Sequence, residues 1–288
     1  MIEENIICWF SGGITSAVSC KIAIDLFGID NCKIIMIDTY NEHEDTYRFK
    51  IDCEKWYGKN IETITDIGNK YSSIQDVWIK NKSLNVATGA ICSSELKKRV
   101  REKWQKENEY KHQVFGFEFD KKEFNRALGL SINHPKAKSI FPLIMFGYDK
   151  EKCKQIVQDA NIEIPLMYKL GFNNNNCFGT GCVQGGIGYW KKMQIEFKDK
   201  FDKMAEMEHR LTDIKGSPVT MLKDQGAKAK ENGNTLVFLK KHPLYPNLKC
   251  IDDMLETTLQ PIFECNGFCG TNDFDEPNKT QMEINYEF

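Results

Sequence analysis

Residues 5–16 read NIICWFSGGITS, a short apolar run that is followed directly by two glycines and three hydroxyl residues. From Thr15 to Phe27 apolar residues recur with helical spacing, and Gly28 ends that segment. The pattern predicts a strand, a loop and a helix. Glycines let backbone amides approach oxygen atoms closely, and a helix N-terminus favours negative charge. The loop therefore indicates phosphate binding, while a tight strand–helix turn with a helix cap would explain the same residues.

The same alternation of strand and helix continues over the first 160 residues. Apolar, β-branched runs at 33–37, 61–65 and 113–117 predict further strands, and helical patterns follow at 47–56, 94–106 and 149–160. Such alternation predicts a parallel sheet of about five strands with helices on both faces. Ligands bind beyond the carboxyl ends of the strands in these sheets. We therefore expect the loops at 11–15, 38–47 and 117–126 to surround one crevice.

The composition of the sequence changes after Gly171. Four asparagines at 173–176 are followed by a glycine-rich stretch, one charged helical segment at 189–212, and a tail that holds Cys250, Cys265 and Cys269. We predict a nucleotide-binding domain over residues 1–188 and a helical, cysteine-rich extension over residues 189–288.

Charge and hydropathy exclude several classes of protein. The net charge of −2 and the pI of about 6.3 exclude a globally basic nucleic-acid coat, although basic stretches at 97–103 and 191–203 stay candidates for a local contact. No apolar run is long enough to span a membrane. Glu3 and Glu4 stand where a signal peptide would carry Lys or Arg, so a cytoplasmic location is expected.

Two loops resemble a known family. Residues 11–16 resemble the pyrophosphate loop, Ser-Gly-Gly-x-Asp-Ser, of the PP-loop ATP pyrophosphatases, with Thr15 at the position of the Asp. Residues 38–47, DTYNEHEDTY, resemble the Asp-Thr-Gly…Glu-Thr-Tyr signature of the phosphoadenylylsulfate (PAPS) reductases and of their relatives, including the DNA-phosphorothioation ATPase. Segments at 92–98, 115–127, 141–144 and 164–182 also resemble this family, so the resemblance covers roughly residues 5–185.

The resemblance implies a Rossmann-like fold of the adenine nucleotide alpha hydrolase-like type, with ATP, PAPS or APS as the ligand and Mg²⁺ alongside ATP. It implies a nucleotide-binding set and a catalytic set of residues. The nucleotide-binding set is Ser11, Gly12, Gly13, Thr15, Ser16, Asp38, Thr39, Glu42 and His43. The catalytic set is Ser11, Asp38, Lys97 and Arg126.

Ordinary structural roles would explain several of these residues equally well. Asp38 could belong to a helix-capping network, and His43 could be an exposed loop histidine. Lys97 lies in a charged helical segment, where most side chains are solvated.

Eleven cysteines, an odd number, argue against a disulfide framework. Five of them lie in apolar or amphipathic runs and are predicted to be small buried hydrophobic residues: Cys8, Cys20, Cys32, Cys53 and Cys153. Two close pairs in turn-rich sequence, Cys177 with Cys182 and Cys265 with Cys269, could chelate one metal.

The resemblance implies a competing ligand set that includes Cys92, in the manner of the iron–sulfur reductases. The sequence does not decide whether these thiols would bind a [4Fe-4S] cluster or Zn²⁺. Residues 264–267 also faintly resemble the Glu-Cys-Gly motif that carries a nucleophilic thiol, which offers a third role for Cys265.

Three functions follow from these patterns. The leading hypothesis is an enzyme that adenylates an acceptor, such as a nucleic acid, with ATP and releases pyrophosphate, so that sulfur from a donor protein can be installed. The alternative is a PAPS or APS reductase, in which a thiol cleaves the S–O bond of a sulfonucleotide. The third is a non-catalytic ATP-binding sensor or assembly subunit, which Thr15 would permit.

Overall fold

The structure is a computed structural model that describes residues 5–86, 89–175, 177–233 and 235–255. Its main sheet has five parallel strands in the order β3-β2-β1-β6-β7. These strands are β1 (Ile6–Trp9), β2 (Cys32–Ile37), β3 (Glu62–Ile64), β6 (His112–Val114) and β7 (Ser139–Ile140). A separate two-stranded sheet pairs β4 (Asn85–Val86) with β5 (Gly89–Ala90) in antiparallel fashion. The predicted α/β fold with a parallel sheet is confirmed.

Helices lie between the strands, as the alternation predicted. They are α1 (Ile14–Phe27), α2 (Glu44–Tyr57), α3 (Ile74–Asn81), α4 (Ile91–Ser93), α5 (Arg99–Glu107), α6 (Lys121–Asn133), α7 (Pro142–Phe146), α8 (Lys150–Asp159) and α9 (Leu166–Lys169). A π-helical turn, Ser94–Lys98, joins α4 to α5, and short 3₁₀ turns occupy Ile29–Asn31 and Pro135–Ala137. Helix α8 begins at the predicted cap, because the Asp149 carboxylate accepts a hydrogen bond from the amide of Lys152 at 2.7 Å.

Both faces of the sheet are buried. Ile6 and Cys8 of β1 pack in one core with α1, α2 and α8, whereas Ile7 and Trp9 pack in a second core with Trp104 and the aromatic residues after β6. Successive side chains of a strand point to opposite faces, so a strand that is apolar throughout belongs between two layers of helices. The five cysteines predicted as buried hydrophobic residues are all fully buried.

Strands that follow β1 in sequence are added to the sheet first on one side of β1 and later on its other side. Strands β2 and β3 extend it on one side of β1, and β6 and β7 extend it on the other. The carboxyl ends of β1 and β6 therefore flank the topological switch point, where sheets of this class form their ligand crevice.

The later part of the described chain adds α10 (Ile187–Glu196), α11 (Lys198–Lys215), α12 (Ala227–Glu231) and a three-stranded sheet of β8 (Leu222–Lys223), β9 (Leu236–Phe238) and β10 (Lys249–Cys250), followed by a 3₁₀ turn, Ile251–Asp253. The expected single helix over 189–212 is wrong, because the backbone of Phe197 leaves the helical region between α10 and α11. The core of this part also contains residues from 71–96 and 167–183, so it crosses residue 188. The domain boundary at 188 stays a prediction. Within the described ranges, no helix combines the length and apolarity that crossing a membrane requires.

Candidate active site

The first loop, residues 11–13, is closed by hydrogen bonds among its own groups. Ser11 donates to Ser16 Oγ from its amide at 3.1 Å and from its hydroxyl at 2.9 Å, and Ser16 Oγ donates to the Gly13 carbonyl at 2.8 Å. The amide of Ile14 donates to the Tyr168 hydroxyl at 3.4 Å, which ties the beginning of α1 to a distant helix. These contacts fix the N-terminus of α1, whose amides attract an anion.

Two glycines are required where the first loop meets its neighbours. Gly12 has a φ of +82°, and a Cβ there would lie 2.5 Å from Cγ2 of Thr46. A Cβ on Gly116, just after β6, would lie 2.6 Å from the backbone of Ser16. The loop is therefore pressed between α2 and the end of β6, and neither contact leaves room for a side chain.

Two asparagines that the sequence analysis did not select belong to this site. Asn175 Nδ2 donates to the Gly12 carbonyl at 2.9 Å and to Thr46 Oγ1 at 3.0 Å. Asn174 precedes it, is 1% exposed, and has no hydrogen-bond partner for either atom of its amide. The run of four asparagines was the available signal, but a run of polar residues is equally typical of a loop.

Buried polar atoms without a partner lie in α1, in the second loop and in the asparagine segment that contacts the first loop. Besides the amide of Asn174, they are the Asn175 Oδ1, the Thr15 Oγ1 and the Thr39 Oγ1. All four residues are at most 3% exposed. Since buried polar groups are nearly always hydrogen-bonded, such a group of exceptions is typical of a place that a ligand or ordered water completes.

The second loop, residues 38–43, follows β2 and is organised by Asp38. The Asp38 Oδ1 accepts hydrogen bonds from the amide of Tyr40 at 2.7 Å and from the hydroxyl of Tyr47 at 3.1 Å. Burial raises the pKa of Tyr47, and the neighbouring Asp38 raises it further, so the tyrosine stays a hydrogen-bond donor. Asp38 does not cap α2, whose N-cap is His43; its hydrogen bonds instead hold the second loop against Tyr47. Contact with a nucleotide stays a prediction.

Each member of the motif Asp45-Thr46-Tyr47 has a separate structural partner. Asp45 accepts hydrogen bonds from the Arg48 guanidinium at 2.6 and 3.1 Å and from the amide of Leu166 at 2.7 Å. Burial alone would raise the pKa of Asp45, but these hydrogen bonds outweigh it and lower the pKa. Because Thr46 contacts Asn175 and Tyr47 contacts Asp38, the motif holds both loops on the beginning of α2.

Glu42 and Lys97 form a buried ion pair beneath the second loop. Their Oε1 and Nζ atoms are 3.5 Å apart, and the amide of Cys177 donates to the other carboxylate oxygen at 2.7 Å. Lys97 lies in the π-helical turn, a feature that is frequent at functional sites, and its Nζ is 3.9 Å from Cys177 Sγ. Cys177 itself has a φ of +60°, which is rare for a residue with a side chain. The two predicted site residues, Glu42 and Lys97, are thus brought together.

His43 has a structural role as well as its predicted one. It is the N-cap of α2, since its Nδ1 accepts from the amide of Asp45 at 3.1 Å. The ring centroid of Phe197 lies 6.1 Å from the His43 ring. Burial lowers the pKa of His43, and the charge of Lys200 lowers it further, so the ring is neutral at neutral pH.

Arg126 lies on α6, close to the end of β6. Its guanidinium carbon is 4.7 Å from the ring centroid of Phe117, and the side chain pairs with Glu123. Phe117 follows Gly116, which abuts the first loop, so Arg126 belongs to the same edge of the sheet. Its catalytic role stays a prediction.

Three of the five cysteines predicted as metal ligands line one small cavity, which we call the thiol cavity. Cys92, Cys177 and Cys182 surround a volume of about 20 Å³ together with Thr39 and Lys97. Cys92 and Cys177 are buried, and Cys182 is partly exposed. The other two predicted ligands, Cys265 and Cys269, lie outside the described residues. Among the residues that are described, no cluster of three or more His, Cys, Asp or Glu side chains has the arrangement of a metal site.

The family relationship was tested by comparison with known proteins. The family model for the phosphoadenosine phosphosulfate reductase domain matches residues 5–182. Among solved structures, the chain is similar to phosphoadenylyl-sulfate (PAPS) reductase from Candida auris in its phosphate complex, with a TM-score of 0.46 and 15% identity over 60% of this chain and 81% of that chain. No curated protein matches the sequence. Because the family model spans more than half of the 288 residues, the resemblance is confirmed, and the chain belongs to the phosphoadenosine phosphosulfate reductase domain family.

Proposed function

We propose that the chain binds an adenine nucleotide through its first loop and acts on the anionic tail, with a sulfonucleotide such as PAPS or APS as the substrate class. The observation that carries this proposal is the group of buried, unpartnered polar atoms on Thr15, Thr39, Asn174 and Asn175. Each such atom costs roughly 1–3 kcal/mol unless a ligand or water completes it. A polar ligand at the switch point would supply the missing partners.

Thr15 favours a sulfonucleotide over ATP. A carboxylate in the first turn of α1 repels an anion unless a divalent cation lies between them, whereas the hydroxyl of Thr15 can donate directly to an oxygen of phosphate or sulfate. The amides at the N-terminus of α1 would then hold the anion without a metal.

The thiol cavity supplies the sulfur chemistry in this proposal. Cys177 Sγ lies 3.9 Å from Nζ of Lys97, so this ammonium group, which Glu42 shares, can donate a hydrogen bond to the sulfur. The Cys177 thiolate would attack the sulfate sulfur, the S–O bond to the nucleotide phosphate would break, and the adenine nucleotide would leave with that electron pair. A second thiol would then attack the enzyme S-sulfonate, forming a disulfide and releasing sulfite, and a dithiol reductant would restore both thiols.

The test is an assay of sulfite release from APS and from PAPS with a dithiol reductant, together with calorimetric binding of AMP in the presence of EDTA. We expect binding without a divalent cation, sulfite release by the wild type, and loss of release with retained AMP binding in Cys177→Ser. Cys250→Ser, which changes a buried thiol that does not line the thiol cavity, is the matched control. Absence of binding to every adenine nucleotide would reject the proposal.

The size of the thiol cavity favours a second candidate, ATP-dependent adenylation of an acceptor with release of pyrophosphate. A volume of about 20 Å³ holds about one water molecule, which is less room than a sulfate group beside Cys177 would need. Cys92, Cys177 and Cys182 do not form a metal site by themselves among the described residues, so binding of Zn²⁺ or of a [4Fe-4S] cluster would require these thiols to rearrange and Cys265 or Cys269 to complete the ligand set.

In this second candidate the nucleotide carries Mg²⁺. The hydrogen bonds from Tyr40 and Tyr47 both end on Asp38 Oδ1, so Oδ2 is the oxygen that could contact the cation. The acceptor would be a nucleic acid or another nucleophile, and a donor protein would bring the sulfur. Pyrophosphate release from ATP, without sulfite release from sulfonucleotides, would select this candidate. Tight ATP binding without either reaction would select the sensor. Metal analysis of protein purified without oxygen, in wild type and Cys177→Ser, tests the thiol ligands separately.

A further inference from the structure

The main chain around Asn174 is anchored on both sides of the crevice. On one side, Asn175 donates to the carbonyl of Gly12 in the first loop. On the other, the carbonyl of Asn173 accepts from Lys150 Nζ at 3.0 Å, and that ammonium group lies 3.2 Å from the Glu118 carboxylate, shortly after β6. Asn174 therefore lies between the segments that follow β1 and β6, at the switch point of the sheet.

The side chain of Asn174 offers a donor and an acceptor with no protein partner for either. It is 1% exposed, and both Nδ2 and Oδ1 lack a hydrogen bond. A buried amide in this state is a poor structural element, because it has given up its bonds to water and gained none in return. Its neighbour Asn175 differs, since the Nδ2 of Asn175 is already used to hold Gly12 and Thr46.

We propose that Asn174 is a ligand-binding residue whose amide contacts the uncharged part of the nucleotide, while the first loop takes the anionic tail. This inference rests on the proposed function. Phosphate and sulfate oxygens only accept hydrogen bonds, so they could accept from Nδ2 but would leave Oδ1 without a donor. A ribose hydroxyl both donates and accepts, and so does the adenine edge with its amino group and ring nitrogen. Either group could therefore hydrogen-bond to both Nδ2 and Oδ1.

The test measures the affinity of wild type and Asn174→Ala for three probes: AMP, ribose 5-phosphate and inorganic pyrophosphate. Asn174→Ala is expected to weaken AMP binding by about tenfold, or about 1.4 kcal/mol, and to leave pyrophosphate binding within twofold of wild type. Loss of affinity for ribose 5-phosphate as well as AMP would assign the contact to the ribose, and loss for AMP alone would assign it to adenine.

The matched control is Asn173→Ala, which removes the same type of side chain from a half-buried neighbour whose anchor is its main-chain carbonyl. Asn174→Ser, which keeps a small polar group, replaces the alanine variant if the latter does not fold. Unchanged AMP affinity would overturn the inference, and so would an equal loss for AMP and pyrophosphate. Failure of the wild type to bind any of the probes would reject the proposed function, and this inference with it.

Discussion

Glu208 in α11 and Asn174 beside the first loop are buried to the same degree but bonded in opposite ways. The Glu208 carboxylate accepts from the amide of Met221 at 2.7 Å and from that of Leu239 at 2.6 Å. Asn174 has neither a donor nor an acceptor for its amide. The first residue ties α11 to the ends of β8 and β9, so it serves the architecture. The second adds nothing to the architecture, and the difference separates polar groups that hold the fold from those that await a ligand.

The largest effect on stability should come from removing the Glu208 carboxylate, whose oxygens are hydrogen-bonded to the backbone. Glu208→Ala leaves the amides of Met221 and Leu239 buried without acceptors and opens a cavity, so we expect a loss of about 3–5 kcal/mol in the free energy of unfolding. Chemical denaturation followed by circular dichroism measures it. A loss below about 1 kcal/mol would mean that water replaces the carboxylate, and the contrast with Asn174 would no longer hold.

The titration of Glu208 should also be visible in the pH dependence of stability. Burial raises the pKa of Glu208 to about 8, against the opposing effect of its two backbone hydrogen bonds. A carboxyl whose pKa is raised on folding binds its proton more tightly in the native state, so the stability it contributes is complete below the unfolded pKa near 4.5 and declines until about pH 8.

Glu208→Gln does not titrate, but its Nε2 cannot accept a hydrogen bond, so the amide of Met221 or of Leu239 loses its acceptor. We therefore expect the variant to be less stable than the wild type near pH 5, and we expect the difference in unfolding free energy to shift in favour of the variant by an amount on the order of 3 kcal/mol between pH 5 and pH 8.5. Denaturation of both proteins across this range isolates Glu208 from the other titrating groups. Parallel curves for the two proteins would contradict the raised pKa.

Gly12→Ala tests how closely the first loop packs against Thr46. The variant places a Cβ 2.5 Å from Cγ2 of Thr46 at a positive φ, so we expect a loss of about 2 kcal/mol in stability and a loss of nucleotide affinity. Gly216→Ala has a similar φ of +71° and no neighbouring atom within 4 Å, so it should show only the backbone cost, about 1 kcal/mol. Equal losses in the two variants would show that contact with Thr46 is unimportant.

The smallest effect on stability should come from Asn174. Removing a buried amide without partners relieves a desolvation cost that offsets the lost packing, so Asn174→Ala should stay within about 0.5 kcal/mol of the wild type in the absence of ligand. Thermal unfolding of the ligand-free protein provides the measurement. A large loss would place Asn174 with Glu208 among the structural groups.

Four strands of the main sheet, β1, β2, β3 and β6, were predicted because each depends on a local apolar pattern, whereas the two-residue strand β7 and the order of the strands were not. Apolar runs of strand length, helical spacing and the glycines after β1 lie within a few residues of each other, and both faces of the sheet select apolar residues. The division of α10 from α11 was not predictable in this way. Residues 189–212 contain no Gly or Pro, and the break at Phe197 accompanies the contact of its ring with those of Phe172 and Phe178.

The site was predictable only where a motif is contiguous. The two loops were selected correctly as neighbours, but their internal bonds depend on partners far away in sequence. Lys97 meets Glu42 across 55 positions, and Asn175 meets Gly12 across 163. Nothing in the local sequence distinguishes Asn174 and Asn175 from loop asparagines, because the property that matters is the loss of water on burial.

The stretch from Phe172 to Cys182 contacts three parts of the molecule at once. Asn175 holds the first loop, Cys177 meets Glu42, and Phe178 packs its ring 4.8 Å from Phe172 and 5.8 Å from Tyr189 of α10. Any molecule that tightens on this stretch also restrains the aromatic packing behind it. Amide hydrogen exchange in α10 and α11 should therefore slow when the crevice fills, which makes these helices a remote reporter of occupancy.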